Sequence, residues 1–292
     1  EIPNVLDNQH KCEIYATMGG SYTGKQIVLD IAIDNSLCDK LYFADGVTPV
    51  EPMPANYYQL ASNKIEYKGD KWGCVEVQFT DAFFADPKAV SGNYVIPVVI
   101  KGQSGADRIL TGTPLVSGTN PSRCDVDSWD PTDPPMDYTL YCVRYMNPWQ
   151  AMYLRRGVDE VTERTGKTTN VRHGKTIEKD EVIAINTRSM TEAVLSVAPQ
   201  TTTAGGMACD LLLTFNGDKC TVSSATQGVT AQGEGLFVTK GEKKAWGDKD
   251  RDALYLKYSI DYGNVKVETT DTLVLQTRAT NQKVTFSPKY IQ

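Results

Sequence analysis

The chain has 292 residues, 40 % of them hydrophobic and 23 % charged, with a formal net charge of −6. That composition folds, it suffices for two domains of about 150 residues each, and it excludes a wholly disordered chain. It argues against a nucleic-acid partner, because no Lys/Arg run supplies the footprint that backbone demands, and against a membrane-spanning helix, because no apolar stretch reaches the roughly 20 residues one needs.

The first residues, EIPNVLDNQHK, are not a signal peptide. Gln26–Ile33 then alternates Ile27, Leu29, Ile31 and Ile33 against Val28, Asp30 and Ala32, the pattern of a central strand. Trp72–Phe79 repeats the period, with Val75, Val77 and Phe79 expected inside and Trp72, Cys74 and Glu76 on the other face. Residues 94–101, YVIPVVIK, are rich in β-branched side chains, but Pro97 cannot donate to a ladder and places the segment at an edge or at a change of sheet. Residues 137–145, DYTLYCVRY, read as a further strand and the last of the first domain. Short strands with turns between them predict an immunoglobulin-like β-sandwich over residues 1–146, with a hinge at 146–149.

From residue 147 to 292 the expected strands are 151–158, 181–186, 193–197, 208–215, 220–224, 228–238, 253–261 and 272–278. Such an inventory suits an all-β, antiparallel barrel of lipocalin-like or related shape. In 253–261, Leu254, Leu256, Tyr258 and Ile260 share one face, and Leu273 with Leu275 and Leu236 with Val238 are expected to extend it. Asn216-Gly217 is the strongest hairpin signal. As a two-residue turn it sets Phe215 against Asp218 and Leu213 against Cys220, with Cys209 facing Ser224, a register that opposes a Cys209–Cys220 bridge. The segments NPWQAMYLRRGV and AWGDKDRDALYLKYSI echo one another, each placing a tryptophan before an apolar-Tyr-Leu-basic strand.

Seven cysteines and two histidines, with no CxxC spacing, give neither a disulfide framework nor a zinc pattern. No catalytic residue and no cofactor is assigned: MGGSYTGK departs from P-loop spacing, no G-x-S-x-G elbow exists, and His173 lies in a turn. Asp248, Asp250 and Asp252 alternate in WGDKDRD and would share a face that could hold calcium. The glycine and bidentate glutamate of an EF-hand loop are missing, so aspartates pairing with Lys249, Arg251 or backbone N–H groups are the simpler reading. The same acids with Glu234 or Asp261 could form a glycosidase pair, which needs a separation of roughly 5–9.5 Å. Stacking against a sugar needs aromatic rings, and Trp72, Trp129, Trp149 and Trp246 are the natural candidates. Trp129 in a loop, Trp149 and Trp246 beside strand starts, and Tyr153 form the expected ligand-binding set, although each fits packing equally well.

QIVLDIAIDN, NYYQL, NKIEYKGD leading into WGCVEVQF, and NYVIPVVI followed by ADRIL resemble the N-terminal domain of the DUF1735 group of Bacteroides-type surface lipoproteins. YCVRYMNPWQAMYLRRG, GEKKAWGDKDRDALYLKYSID and DTLVLQTR resemble the DUF5627 domain that accompanies it. The resemblance implies an exported, lipid-anchored protein of the outer-membrane surface or periplasm, its anchoring cysteine lying before Glu1. It implies polysaccharide-use or adhesion contexts and transfers no catalytic residue. The resulting expectation is a non-enzymatic binding module for a glycan or a partner protein, with a carboxylate-pair glycoside hydrolase and a purely structural scaffold as alternatives.

Overall fold

Alternation of side chains builds both halves of the molecule. The computed structural model describes residues 5–21, 23–201, 207–278 and 286–291. It divides into a first unit, Glu1–Tyr145 with Thr285–Gln292, and a second, Met146–Val284. The C-terminal residues expected in the barrel therefore belong to the first unit. No helix among the described residues is long and apolar enough to cross a membrane.

The strands of the first unit are β1 (Lys11–Thr17), β2 (Gln26–Ile33), β3 (Leu41–Tyr42), β4 (Glu51–Pro52), β5 (Tyr58–Leu60), β6 (Lys64–Lys68), β7 (Trp72–Phe79), β8 (Tyr94–Ser104) and β9 (Tyr138–Val143). Hydrogen bonding runs continuously in the order β1-β7-β6-β2-β8-β4, with β5 on β7 and β9 on β8. This is one nearly closed sheet where two separate sheets were expected. It is also not wholly antiparallel, because β4 runs parallel to β8. Ile14, Ile27, Leu29, Ile31, Ile65, Tyr67, Val75, Val77 and Phe79 are buried, as period-two burial requires.

Pro97 stands where β8 changes neighbour. β8 pairs with β2 through residues 98–104 and with β4 through Tyr94 and Val95. The Pro97 carbonyl accepts from Asp34 N at 2.9 Å, one residue beyond the end of β2, so the missing N–H falls at a gap in the ladder. The sheet's two ends meet through a side chain: the Tyr141 hydroxyl of β9 accepts from Tyr15 N of β1 at 2.7 Å and donates to Tyr15 O at 3.4 Å. Those are the two groups a partner residue in a hydrogen-bonded antiparallel pair would engage.

The last strand, β19 (Lys289–Tyr290), pairs with β3. Phe286 and Tyr290 pack on Leu37, Cys38, Leu41, Val50, Val95 and Cys124. Between these parts of the first unit in sequence lie the strands of the second: β10 (Ala151–Glu163), β11 (Gly166–Arg172), β12 (Glu181–Thr187), β13 (Glu192–Val197), β14 (Cys209–Asn216), β15 (Lys219–Ser224), β16 (Thr230–Trp246), β17 (Lys249–Asp261) and β18 (Val265–Thr277).

Eight of these strands close into a barrel, because β18 returns to β10 over residues 152–163. The ninth, β11, pairs with β10 where β12 has ended. Its sequence, GKTTNVR, carries no apolar alternation, which is why it is illegible as a strand. The interior is filled by Leu195, Leu211, Leu213, Phe215, Leu254, Leu256, Tyr258, Ile260 and Leu273, among others.

Two details of the barrel correct the expectations. The β14–β15 turn centres on Gly217 and Asp218, so Phe215 opposes Cys220 and Leu213 opposes Val222. Gly217 takes φ 61° at the first central position, as a II′-type hairpin needs. A two-residue change of register keeps every side chain on its own face, so the core survives the correction. In β16, Phe237 is the buried residue, whereas Leu236 is 42 % exposed. Phe237 pairs with buried Leu254, and Leu236 pairs with outward Tyr255.

Candidate functional site

The residues singled out for binding are mostly structural. Trp129 is buried and donates from Nε1 to the Ser122 carbonyl at 2.9 Å. Gly112, at φ +78°, leaves the room it needs, since a Cβ there would meet the indole Cε3 and Pro135 N. Trp149 is buried and lies flat on Phe215, with centroids 3.7 Å apart and an interplanar angle of 8°. Tyr153 is fully buried and donates to the Trp149 carbonyl at 2.8 Å. Trp246 is half-buried: its Nε1 donates to Leu275 O at 3.1 Å, and the Arg251 guanidinium lies 3.6 Å from its ring centroid. Only Trp246 of this set keeps a wet edge, and Arg251 already covers its face.

The three aspartates do not converge. Asp248 occupies the β16–β17 turn at φ 53° beside Gly247 at φ 60°, the paired positive angles of a I′ turn. Asp250 accepts from Lys243 Nζ at 3.1 Å and Lys244 N at 3.1 Å. Asp252 accepts from Lys240 N at 2.9 Å and Arg278 Nη2 at 3.1 Å. Among the described residues no group of three or more His, Cys, Asp and Glu side chains is placed to hold a metal ion. The cysteines are free.

Two features were not assembled from the sequence, although Trp72, which borders the second, stands among its stacking candidates. The first is a buried ionic cluster beside the barrel core. Asp271 accepts from Arg155 Nε at 3.0 Å, from Arg172 Nη2 at 2.6 Å and from the Tyr258 hydroxyl at 2.9 Å. Arg172 also grips Asp159 with Nε at 2.7 Å and Nη2 at 2.9 Å, and Thr269 donates to Asp159 at 2.8 Å. Burial works against the Arg172 charge, but its bonds to Asp159 and Asp271 outweigh it and hold the guanidinium above its ordinary pKa. Two arginines against two aspartates make a neutral set that staples β10, β11 and β18. Gly157 makes space for it, because a Cβ there would run into the Thr270 carbonyl and the Asp271 carboxylate.

The second feature is an open depression on the outer face of β1, β7 and β6. It is lined by Tyr15, Lys64, Glu66, Lys68, Asp70, Trp72, Cys74 and Glu76, among others. The register explains its shape. Tyr15 lies opposite Cys74, Thr17 opposite Trp72 and Glu13 opposite Glu76, while Glu66 lies opposite Cys74 from β6. Tyr15 and Trp72 are thus diagonal neighbours, each 47 % exposed, above a floor of small residues. Gly73 lets β6 approach, since a Cβ there would meet Glu66 O at 2.7 Å.

The polar groups around the floor are held. Tyr15 donates its phenol to Glu13, which pushes its pKa up to about 12 with some help from burial. The Cys74 thiol points to Glu13 Oε1 at 3.6 Å, and burial followed by the Glu13 charge raises its pKa. Lys11 pairs with Glu76 at 2.7 Å and Lys64 with Asp30 at 2.8 Å. Lys71 Nζ lies 5.3 Å from the Trp72 centroid, a weak exposed contact.

The architecture defines a class first: a two-domain, all-β protein whose nearly closed sheet precedes a closed eight-stranded barrel. Family models cover both parts. Residues 148–279 match the domain of unknown function DUF5627, and residues 2–107 match an N-terminal domain family. A solved Bacteroides ovatus protein of unknown function is 42 % identical across 100 % of this chain and 91 % of that one, with a TM-score of 0.88. The chain belongs to the same family as that protein. An auxiliary nutrient-binding protein from Bacteroides thetaiotaomicron aligns over 91 % of this chain and 82 % of that one at 12 % identity. Its TM-score of 0.40 is too low to support an inference. No curated protein matches the chain.

Proposed function

We propose that this protein is a non-enzymatic binding module of the cell surface or periplasm that takes a glycan on the outer face of its first unit. The observation that carries the reading is the exposed Tyr15–Trp72 pair over a small-residue floor, bordered by hydrogen-bonding side chains. Large rings with an apolar face and a polar handle are costly to expose without a partner. An open depression with convergent polar groups suits a ligand that is apolar on its ring faces and hydroxylated at its rim, as a sugar is. The resemblance of the first unit to the DUF1735 domain supports export and a lipid anchor.

Of the acids near the rings, Glu13 and Glu76 lie directly opposite one another. Tyr15 and Cys74 donate to Glu13, and Lys11 is ion-paired with Glu76. Both carboxylates are thus engaged as acceptors, whereas glycosidic hydrolysis needs one carboxyl to donate a proton to the leaving oxygen. Binding without turnover is the consistent reading.

A glycan array tests it with wild-type protein beside a Tyr15→Ala/Trp72→Ala double variant. The reading requires at least one glycan retained by wild type and lost by the variant, with no sugar released on prolonged incubation. Equal retention by both proteins would move the site elsewhere.

A further inference from the structure

The two rings define more than an exposed patch. In an antiparallel pair, diagonal neighbours on one face stand about 7–8 Å apart, so two rings at such positions offer two stacking faces side by side. Tyr15 and Trp72 occupy such positions, and Cys74 and Thr17 complete the square with small side chains. A ligand touching both rings must bridge the floor between them. Charge narrows the class further. Lys64 and Lys68 lie among Glu66, Asp70 and Glu76 at the lining, with Lys64 already paired to Asp30 and Glu76 to Lys11. The lining holds three carboxylates, Glu66, Asp70 and Glu76, against two lysines, so an acidic chain would meet no excess of cations there.

We infer that the depression is a two-subsite cleft for a neutral oligosaccharide, one sugar stacked on Tyr15 and another on Trp72, with the linkage crossing above Cys74. This rests on the glycan reading and adds ligand length and charge class. Cys74 supplies an independent reporter, because an exposed thiol on the floor is shielded by anything spanning the rings.

The test uses the full chain with glucose and mannose, their neutral di- and tetrasaccharides in β-1,4-glucose, α-1,4-glucose and α-mannose linkage, and tetragalacturonate as the acidic control. Calorimetry gives affinity, and alkylation of Cys74 followed by peptide mass spectrometry gives occupancy of the floor. For at least one series the inference expects the disaccharide to bind tenfold or more tighter than the monosaccharide. It expects Cys74 to be protected by the disaccharide, and the length advantage to vanish in both Tyr15→Ala and Trp72→Ala. Equal affinity for mono- and disaccharide, or binding that leaves Cys74 alkylation unchanged, overturns the two-subsite cleft. Tighter binding of tetragalacturonate overturns the neutral class. If no member of the panel binds or protects Cys74, the glycan reading falls together with the inference. Cys74 protection in wild type does not depend on any variant folding.

Discussion

Asp271 is 1 % exposed and receives three hydrogen bonds from Arg155, Arg172 and Tyr258. Asp271→Ala leaves two arginines without their shared anion, and removing one partner of a buried ionic set costs about 3–5 kcal/mol. Urea unfolding should show that loss, and a change below 1 kcal/mol would mean that water already screens the cluster. Gly157→Ala should cost about 1–3 kcal/mol by crowding the Thr270 backbone and Asp271, again read from the urea midpoint. At Tyr15 the phenol should ionise near 12 in an ultraviolet titration, because donation to Glu13 favours its neutral form. The folded chain then holds a proton between pH 10 and 12 that the unfolded chain has lost. The contribution of this phenol to stability is therefore complete below pH 10 and declines as pH rises through that window. Glu13→Gln should bring the ionisation back toward the ordinary tyrosine value. The outward parity of Trp72 was legible in the alternation of β7, but its exposure was not, since all four tryptophans look alike in sequence. The Arg155–Asp271 contact spans 116 residues, and no local pattern announces it.

At the scale of elements, the hydrophobic period located the strands and the turns misled on register. Asn216-Gly217 has the composition of a central pair, yet Gly217 and Asp218 turn the chain, and two residues move without disturbing a face. Leu236 and Val238 were placed inward because both parities of β16 carry apolar residues, and only pairing with β17 decides for Phe237. The tryptophan-led echo also ends here: β10 and β17 flank β18, but Tyr153 faces the core while Tyr255 turns out to Glu242. The seam of the first sheet carries its own prediction. Tyr141→Phe removes both bonds to Tyr15 and should cost about 1 kcal/mol. Hydrogen exchange should show faster loss of protection at the Tyr15 amide than at Ile14, which faces β7. Unchanged exchange at Tyr15 would show that the hydroxyl does not close the sheet.

The whole molecule has two cores, and each mutation belongs to one of them. Deleting residues 286–292 strips β19 and uncovers Phe43 and Leu41 in the first unit. Calorimetric melting should lower the transition of the first unit alone, whereas Asp271→Ala should lower that of the second. The proposed binding face lies on the first unit, which bears the exposed rings, and the barrel interior is filled. Calorimetric titration of a glycan bound by wild type into Trp72→Ala and Trp246→Ala, side by side, separates the face proposed on the first unit from one on the barrel. Loss of binding in Trp72→Ala with retention in Trp246→Ala is the expected result. Retention in Trp72→Ala with loss in Trp246→Ala would contradict it and return the site to the barrel.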